Sequence, residues 1–164
     1  RAILLLLLDT GLRASELCGL KVGDVELKTG RISVAGKGGK HRYVWAASVT
    51  RQALWQYHAE RIDGGDPARP LFTSTVGGRG IGRRWLSRRV KQLGERAGID
   101  GVYPHRFRHT FAVQYLRNGG DVFTLQILLG HSSLKMVRYY ARLADVDTAR
   151  VHAQASPVDG WLKG

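Results

Sequence analysis

Residues 103–140, YPHRFRHTFAVQYLRNGGDVFTLQILLGHSSLKMVRYY, constrain the fold of this chain more than any other stretch. Pro104 has a fixed φ that suits the first turn of a helix. That helix is predicted to run to about Arg117 and to stop at Asn118-Gly119-Gly120, a strong C-terminal signal. Asp121 can cap a short helix over Phe123–Leu129, which Gly130 ends. Ser132 or Ser133 then caps a third helix, and that one carries the adjacent Tyr139 and Tyr140.

The same stretch holds chemistry-bearing side chains. His105 and Arg108 stand three positions apart, so a helix presents both on one face. His131 follows the helix-ending Gly130, and Arg142 follows the tyrosine pair. Two cation-capable groups, a histidine at a helix boundary and a phenol point to work on an anion. A tyrosine hydroxyl can be a covalent nucleophile. Any one of these residues alone reads more simply as part of a basic helical pair with buried aromatics, and the constellation is what argues for a site.

The charge balance agrees. With 164 residues the chain fits one domain able to bury a core. A hydrophobic fraction of 43% places it among globular chains. A net charge of +13 favours a polyanionic partner, nucleic acid above all, with an anionic membrane surface as the weaker option. The single cysteine, Cys18, excludes an internal disulfide and suits a reducing cytoplasm. Ala2–Leu8 is apolar throughout but falls far short of the roughly 20 residues that cross a bilayer, so it reads as a buried helix. The chain begins on a helix already under way, as a fragment would.

Upstream, the first helix is expected to end at Asp9-Thr10-Gly11. Arg13 then sits at a helix-to-helix corner, with Glu16 one turn away to hold its guanidinium. From Val25 to Ala46, short β-forming runs alternate with turn residues, which predicts a three-stranded antiparallel sheet. Its second turn, Gly36-Lys37-Gly38-Gly39-Lys40, reads by itself as a solvated basic turn, although a glycine-flanked lysine there can reach into a groove. Ser48 or Thr50 is expected to cap a helix running to about Ile62, and Leu71-Phe72 reads as a short buried segment. A helix over about Arg83–Ala97 places Arg84, Arg88 and Lys91 on one stripe, with Trp85, Leu86, Val90 and Leu93 on an apolar side. That stripe reads as a phosphate-backbone contact rather than a merely solvated face.

Five separated motifs resemble the tyrosine recombinase (phage integrase) family, in the family's order. They are Thr10-Gly11-Leu12-Arg13 with Ser15-Glu16-Leu17, the Gly36-Lys37-Gly38 turn, His105-x-x-Arg108-His109, Leu129-Gly130-His131, and Tyr140 nine positions after His131. The resemblance implies a mainly helical α+β domain with a small antiparallel sheet. It further implies a catalytic domain over residues 1–143, a tail over 144–164 that packs on its own domain in the isolated fragment or on a neighbouring protomer in the assembled complex, and a separate N-terminal DNA-binding domain outside this fragment. The residue roles it implies are Arg13 and Arg108 as catalytic arginines, Lys37 as general acid, and His105 assisting the tyrosine proton. His131 is implied on the phosphate, Tyr140 as nucleophile, and Glu16 as support for Arg13. Lys40 and Arg42 match basic positions expected to meet DNA, alongside Arg84, Arg88 and Lys91. The family's usual Val-Pro-Leu after the hairpin is here Val44-Trp45-Ala46.

The activity so implied is site-specific recombination of double-stranded DNA through a 3′-phosphotyrosyl bond. It needs no metal and no nucleotide cofactor, and it is performed by a tetramer on its sites, while the fragment alone is a monomer. Type IB topoisomerase-like relaxation and a catalytically silent basic DNA-binding module are the alternatives. Between Tyr139 and Tyr140 the helical periodicity does not decide; the register from His131 in the resemblance selects Tyr140.

Overall fold

A first helix that is apolar on nearly every side has to be wrapped by the elements that follow it, and the fold does this. The computed structural model describes residues 1–36, 41–61, 66–74, 78–130, 135–144 and 148–162. Lys37, Lys40, His131, the cap at Ser132 or Ser133 and the expected helix end at Ile62 lie outside the described residues.

In helix α1 (Ala2–Thr10) Leu6 and Leu7 are fully buried. Helix α2 (Ala14–Gly19) follows the corner, and then come strands β1 (Val25–Glu26), β2 (Arg31–Ala35) and β3 (His41–Trp45). The sheet is antiparallel in the order β1-β2-β3, as its turn spacing predicted. Register pairs Ile32 with Val44 and Val34 with Arg42. Because side chains alternate along a strand, Ile32, Val34, Arg42 and Val44 all point to the inner face.

Helix α3 (Ser48–Ala59) is capped neither by Ser48 nor by Thr50, contrary to the sequence expectation. Its N-cap is Ala47, whose N–H donates to Asp9 Oδ2 at 2.7 Å. A carboxylate brought from the end of α1 thus meets the positive end of α3, a partner too distant in sequence for local pattern to reveal. Thr50 is buried instead. Leu71 and Phe72 are buried as expected.

Helix α4 (Arg83–Arg96) seats Leu86, Val90 and Gly94 in the core, while Trp85, expected on that side, is exposed. Helices α5 (Pro104–Arg117), α6 (Val122–Leu129) and α7 (Lys135–Ala144) follow the signals of the organising stretch. Asp121 Oδ1 accepts from the N–H groups of Phe123 and Thr124, and Gly130 closes α6 in the left-handed conformation. Two further helices, α8 (Thr148–Ala155) and α9 (Pro157–Leu162), fall in the tail, for which the sequence reading gives no helix.

Two apolar clusters result. One gathers α1, α2, the inner sheet face, α3 and α4; the other is built by α5, α6 and α7 around Phe111, Leu116, Leu125, Leu129, Val137 and Tyr140. α1 packs on α5, and Leu128 touches both clusters, so the α1–α2 corner is set against the middle of α5 and the end of α6. Gly11 makes this approach possible. Its φ is +61°, and a Cβ there would collide with the Phe111 ring and lie 2.9 Å from Leu129.

Candidate active site

The corner after Gly11 turns the chain into α2 with Arg13 as the N-cap residue. Glu16, three residues on, accepts from the Arg13 backbone N–H at 2.8 Å and from its Nη1 at 2.9 Å. One carboxylate therefore satisfies an orphan helix donor and fixes the guanidinium. The Arg13 side chain remains 42% exposed, so its other donors face outward. Burial alone would raise the Glu16 carboxyl, but hydrogen bonds from Arg42 and Arg13 overcome it and hold its pKa at about 2. The support expected of Glu16 is present in the geometry.

Arg108 enters from α5 and is only 1% exposed. Its Nη1 donates to Gly11 O at 2.7 Å and its Nη2 to Leu129 O at 2.6 Å. A single guanidinium thus ties the corner that carries Arg13 to the last turn of α6. Burial, with the like charge of Arg13 next, pushes Arg108 down to about 10, so it stays cationic at neutral pH. His105, one turn earlier on the same helix, is exposed at the rim. Burial, the neighbouring His109, and the charges of Arg108 and Arg13 depress its pKa, so it is neutral at pH 7.

Tyr140 comes from α7 and is 1% exposed, whereas Tyr139 is 49% exposed. The structure thus separates the two tyrosines that periodicity leaves unresolved. The Tyr140 ring stands edge-on to His109 with centroids 5.3 Å apart, and His109 stands edge-on to His105 at 4.5 Å. Burial raises the Tyr140 phenol above its ordinary value, Tyr139 adds to this, and Arg108 and Arg13 oppose it. The phenol keeps its proton at neutral pH until something draws it off.

Five expected site residues are therefore brought together from three helices: Arg13, Glu16, His105, Arg108 and Tyr140. The basic stripe is on α4. Arg88 and Lys91 border a cavity of about 490 Å³ together with Tyr103, the N-cap residue of α5. Arg84 and Arg88 are exposed as expected, and Lys91 lies 3.6 Å from Glu95.

Arg42 departs from its expectation as a DNA-facing cation. Its guanidinium turns inward, donating to both Glu16 carboxylate oxygens at 2.9 Å and to Leu128 O at 2.8 Å. The alternation Arg42-Tyr43-Val44 held the signal, since a strand that buries Val44 also buries position 42. His109, to which the sequence motif alone gives no role, stands between His105 and Tyr140. Its position one turn after His105 was the available sign.

Residues 1–146 match the phage integrase family. The tyrosine recombinase XerC of Xylella fastidiosa (strain 9a5c) is 39% identical over 158 residues, covering 96% of this chain and 53% of that protein. XerC of Xanthomonas campestris pv. campestris (strain B100) is 40% identical over 160 residues, covering 96% of this chain and 48% of its own. Among solved structures, XerA recombinase superposes with a TM-score of 0.80 at 37% identity, over 95% of this chain and 57% of that one. XerH site-specific recombinase bound to palindromic difH substrate, a post-cleavage complex, superposes with a TM-score of 0.75 at 27% identity, over 97% and 45%. The chain spans about half the length of the curated relatives it matches. Its motifs, its fold and these matches agree, and the chain belongs to the phage integrase family of tyrosine recombinases.

Proposed function

We propose that this chain is the catalytic part of a site-specific DNA recombinase that cleaves and rejoins strands through a 3′-phosphotyrosyl bond. The observation that carries this reading is the convergence of Arg13 from the start of α2, and His105 and Arg108 from α5, on the Tyr140 region of α7. The name tyrosine recombinase borne by the XerC relatives supports it over topoisomerase-like relaxation or a silent DNA-binding module.

The chemistry follows from the phosphodiester. Attack builds negative charge on the non-bridging oxygens, and the guanidinium forks of Arg13 and Arg108 offset it. The Tyr140 hydroxyl attacks phosphorus as its proton leaves, and neutral His105 assists that transfer, with His109 beside both rings. The phosphorus–5′-oxygen bond breaks, and the leaving oxygen takes a proton from Lys37. His131 hydrogen-bonds the phosphate. The tyrosyl ester retains the diester's energy, so a new 5′-hydroxyl can displace the tyrosine. The reading calls for no metal or nucleotide cofactor. Its direct test is a nicked suicide duplex: a covalent protein–DNA adduct is expected, and its absence at saturating DNA would overturn the proposal.

A pH dependence follows. If His105 must be neutral to take the phenolic proton, cleavage falls as pH drops through a value below the ordinary 6.5 of a histidine, in line with its depressed pKa. Single-turnover rates between pH 4.5 and 8 check this, and His105→Gln is expected to remove that limb. A limb at or above 6.5, or one that persists in the variant, would assign it to another group.

Double-stranded DNA is the proposed partner, met by the α4 stripe. Each phosphate neutralised contributes about −0.9 to the slope of log K against log salt. Replacing Arg84, Arg88 and Lys91 with Ala is expected to lessen that slope by about 2.7 if each meets one phosphate, and fluorescence anisotropy across a salt series reads it. An unchanged slope would exclude the helix as a contact surface.

The domain reading takes residues 1–143 as the catalytic unit, completed on DNA by a separate N-terminal DNA-binding domain, in a tetramer assembled on the recombination sites. The isolated chain is a monomer that works in the cytoplasm. Among the described residues no helix is long and apolar enough to cross a membrane. In the tail, Val151 and Val158 are exposed and Trp161 is 80% exposed on α8 and α9. Apolar side chains held out on ordered helices fit a segment that docks on a neighbouring protomer. Hydrogen exchange in 148–162 is expected to slow on assembly with DNA; exchange that stays as fast as without DNA would count against docking.

A further inference from the structure

Two arginines from different elements reach the same helix end. The last carbonyls of a helix have no partner within it, and α6 closes with Leu128 and Leu129 in that position. Arg42 Nε donates to Leu128 O at 2.8 Å and Arg108 Nη2 to Leu129 O at 2.6 Å. From there each side chain reaches on to a residue of the Arg13 corner. Arg108 Nη1 continues to Gly11 O at 2.7 Å. Arg42 Nη1 and Nη2 continue to the two oxygens of Glu16, which itself holds the Arg13 backbone and guanidinium.

The hydrogen bonds thus close a ring through Gly11, Arg108, Leu129, Leu128, Arg42, Glu16 and Arg13. Gly130 is shaped to fit it: its φ is +61°, and a Cβ there would lie 3.2 Å from the Arg42 guanidinium. In sequence His131 follows Gly130 directly, and β3, which carries Arg42, begins four positions after Lys37.

We infer that Arg42 is a positioning residue, whose three-way fork sets the Arg13 corner, the end of α6 and the start of β3 in one fixed relation. This rests on the recombinase reading and adds a part to it. Stability alone is a poor explanation for the arrangement. A buried ion pair recovers little beyond its desolvation cost and is often replaceable by apolar side chains without loss. What it provides here is geometry: a planar fork bound bidentately to a carboxylate and to a carbonyl permits only one arrangement of three segments. A phosphate-contact role is disfavoured because Nε, Nη1 and Nη2 of Arg42 all donate within the chain, to Leu128 O and to both oxygens of Glu16.

The test uses the unmodified chain, Arg42→Gln and Arg42→Lys with a nicked suicide duplex at saturating DNA. Arg42→Gln is expected to lower the single-turnover cleavage rate about 100-fold, the scale of a roughly 1 Å misplacement of reacting groups. DNA affinity and its salt slope are expected to stay as in the unmodified chain. Arg42→Lys keeps the charge without the fork and is expected to lose about 10-fold. Carbon-detected NMR titration of the Glu16 carboxyl, with no DNA present, gives a readout independent of activity. Its midpoint, held near 2 with Arg42 in place, is expected to rise in Arg42→Gln. Unmodified-chain cleavage in Arg42→Gln would overturn the inference. So would weaker binding with a flattened salt slope, or an unmoved Glu16 midpoint. If Arg42→Gln does not fold, Arg42→Lys decides, and a full cleavage rate there overturns the inference. Absence of any Tyr140-dependent adduct in the unmodified chain would instead sink the recombinase reading, while the Glu16 titration still judges the hold of Arg42 on the corner.

Discussion

Tyr140→Phe is expected to abolish the covalent adduct with a nicked suicide substrate, a loss on the order of 10³-fold or more, while Tyr139→Phe retains it. The two side chains point about 100° apart on one helix, so only one can serve a given phosphate. Tyr140 stands against His109 and feels the charges of Arg108 and Arg13; Tyr139 is half exposed on the other flank. Removing the Tyr140 hydroxyl keeps the ring that packs among Phe111, Leu129 and Val137, so stability is expected to change by only about 1 kcal/mol. The loss would therefore be chemical and not structural. Peptide mapping of the trapped adduct is the direct measurement, and a nucleotide found on Tyr139 would reverse the assignment. The raised phenol pKa adds a second expectation: Tyr140 contributes no phenolate at neutral pH by itself, so its reactivity depends on the groups around it.

How far the sequence alone reaches can be judged residue by residue. Helix ends were legible because their signals are local: Gly11, Asn118-Gly119-Gly120, Asp121 and Gly130 each fix a φ or a cap within a few residues of the boundary. The sheet was legible from its turn spacing. The cap of α3 was not, because its partner, Asp9, lies 38 positions away and nothing local announces it. Trp85 was misplaced because an indole counts as apolar in any periodicity, yet the outer face of α4 leaves it exposed. Arg42 shows the limit of a motif most clearly. A basic residue after a lysine hairpin invites the reading of a DNA contact, and only the strand register reveals that it faces the interior.

Arg13 and Arg108 invite the same role from sequence, yet substitution is expected to separate them. Arg13→Ala should fold as well as the unmodified chain, because the side chain is 42% exposed and its loss leaves Glu16 still paired with Arg42. Cleavage is expected to fall by about 10²–10³-fold, the scale seen when one preorganised donor to a developing oxyanion is removed. DNA affinity is expected to change little, since one phosphate contact among many is lost. Arg108→Ala is a different experiment. It empties a buried site and strands the carbonyls of Gly11 and Leu129, which accept at 2.7 and 2.6 Å. Each unsatisfied buried carbonyl costs about 1–3 kcal/mol, and the cavity adds to that. A total of about 3–5 kcal/mol would lower Tm by on the order of 10 °C in a domain of this size. Loss of cleavage in Arg108→Ala would then mix chemistry with unfolding. Arg108→Lys resolves the two: an ammonium can keep one of the carbonyl contacts and the charge, so stability is expected to recover in part. Cleavage should stay low, because an ammonium cannot span the Gly11 and Leu129 carbonyls as the guanidinium does and still offer a placed donor to phosphate. Thermal melts and single-turnover rates on the three variants measure this. Equal Tm losses for Arg13→Ala and Arg108→Ala, or a full cleavage rate in Arg108→Lys, would show that the division of labour drawn from their burial is wrong.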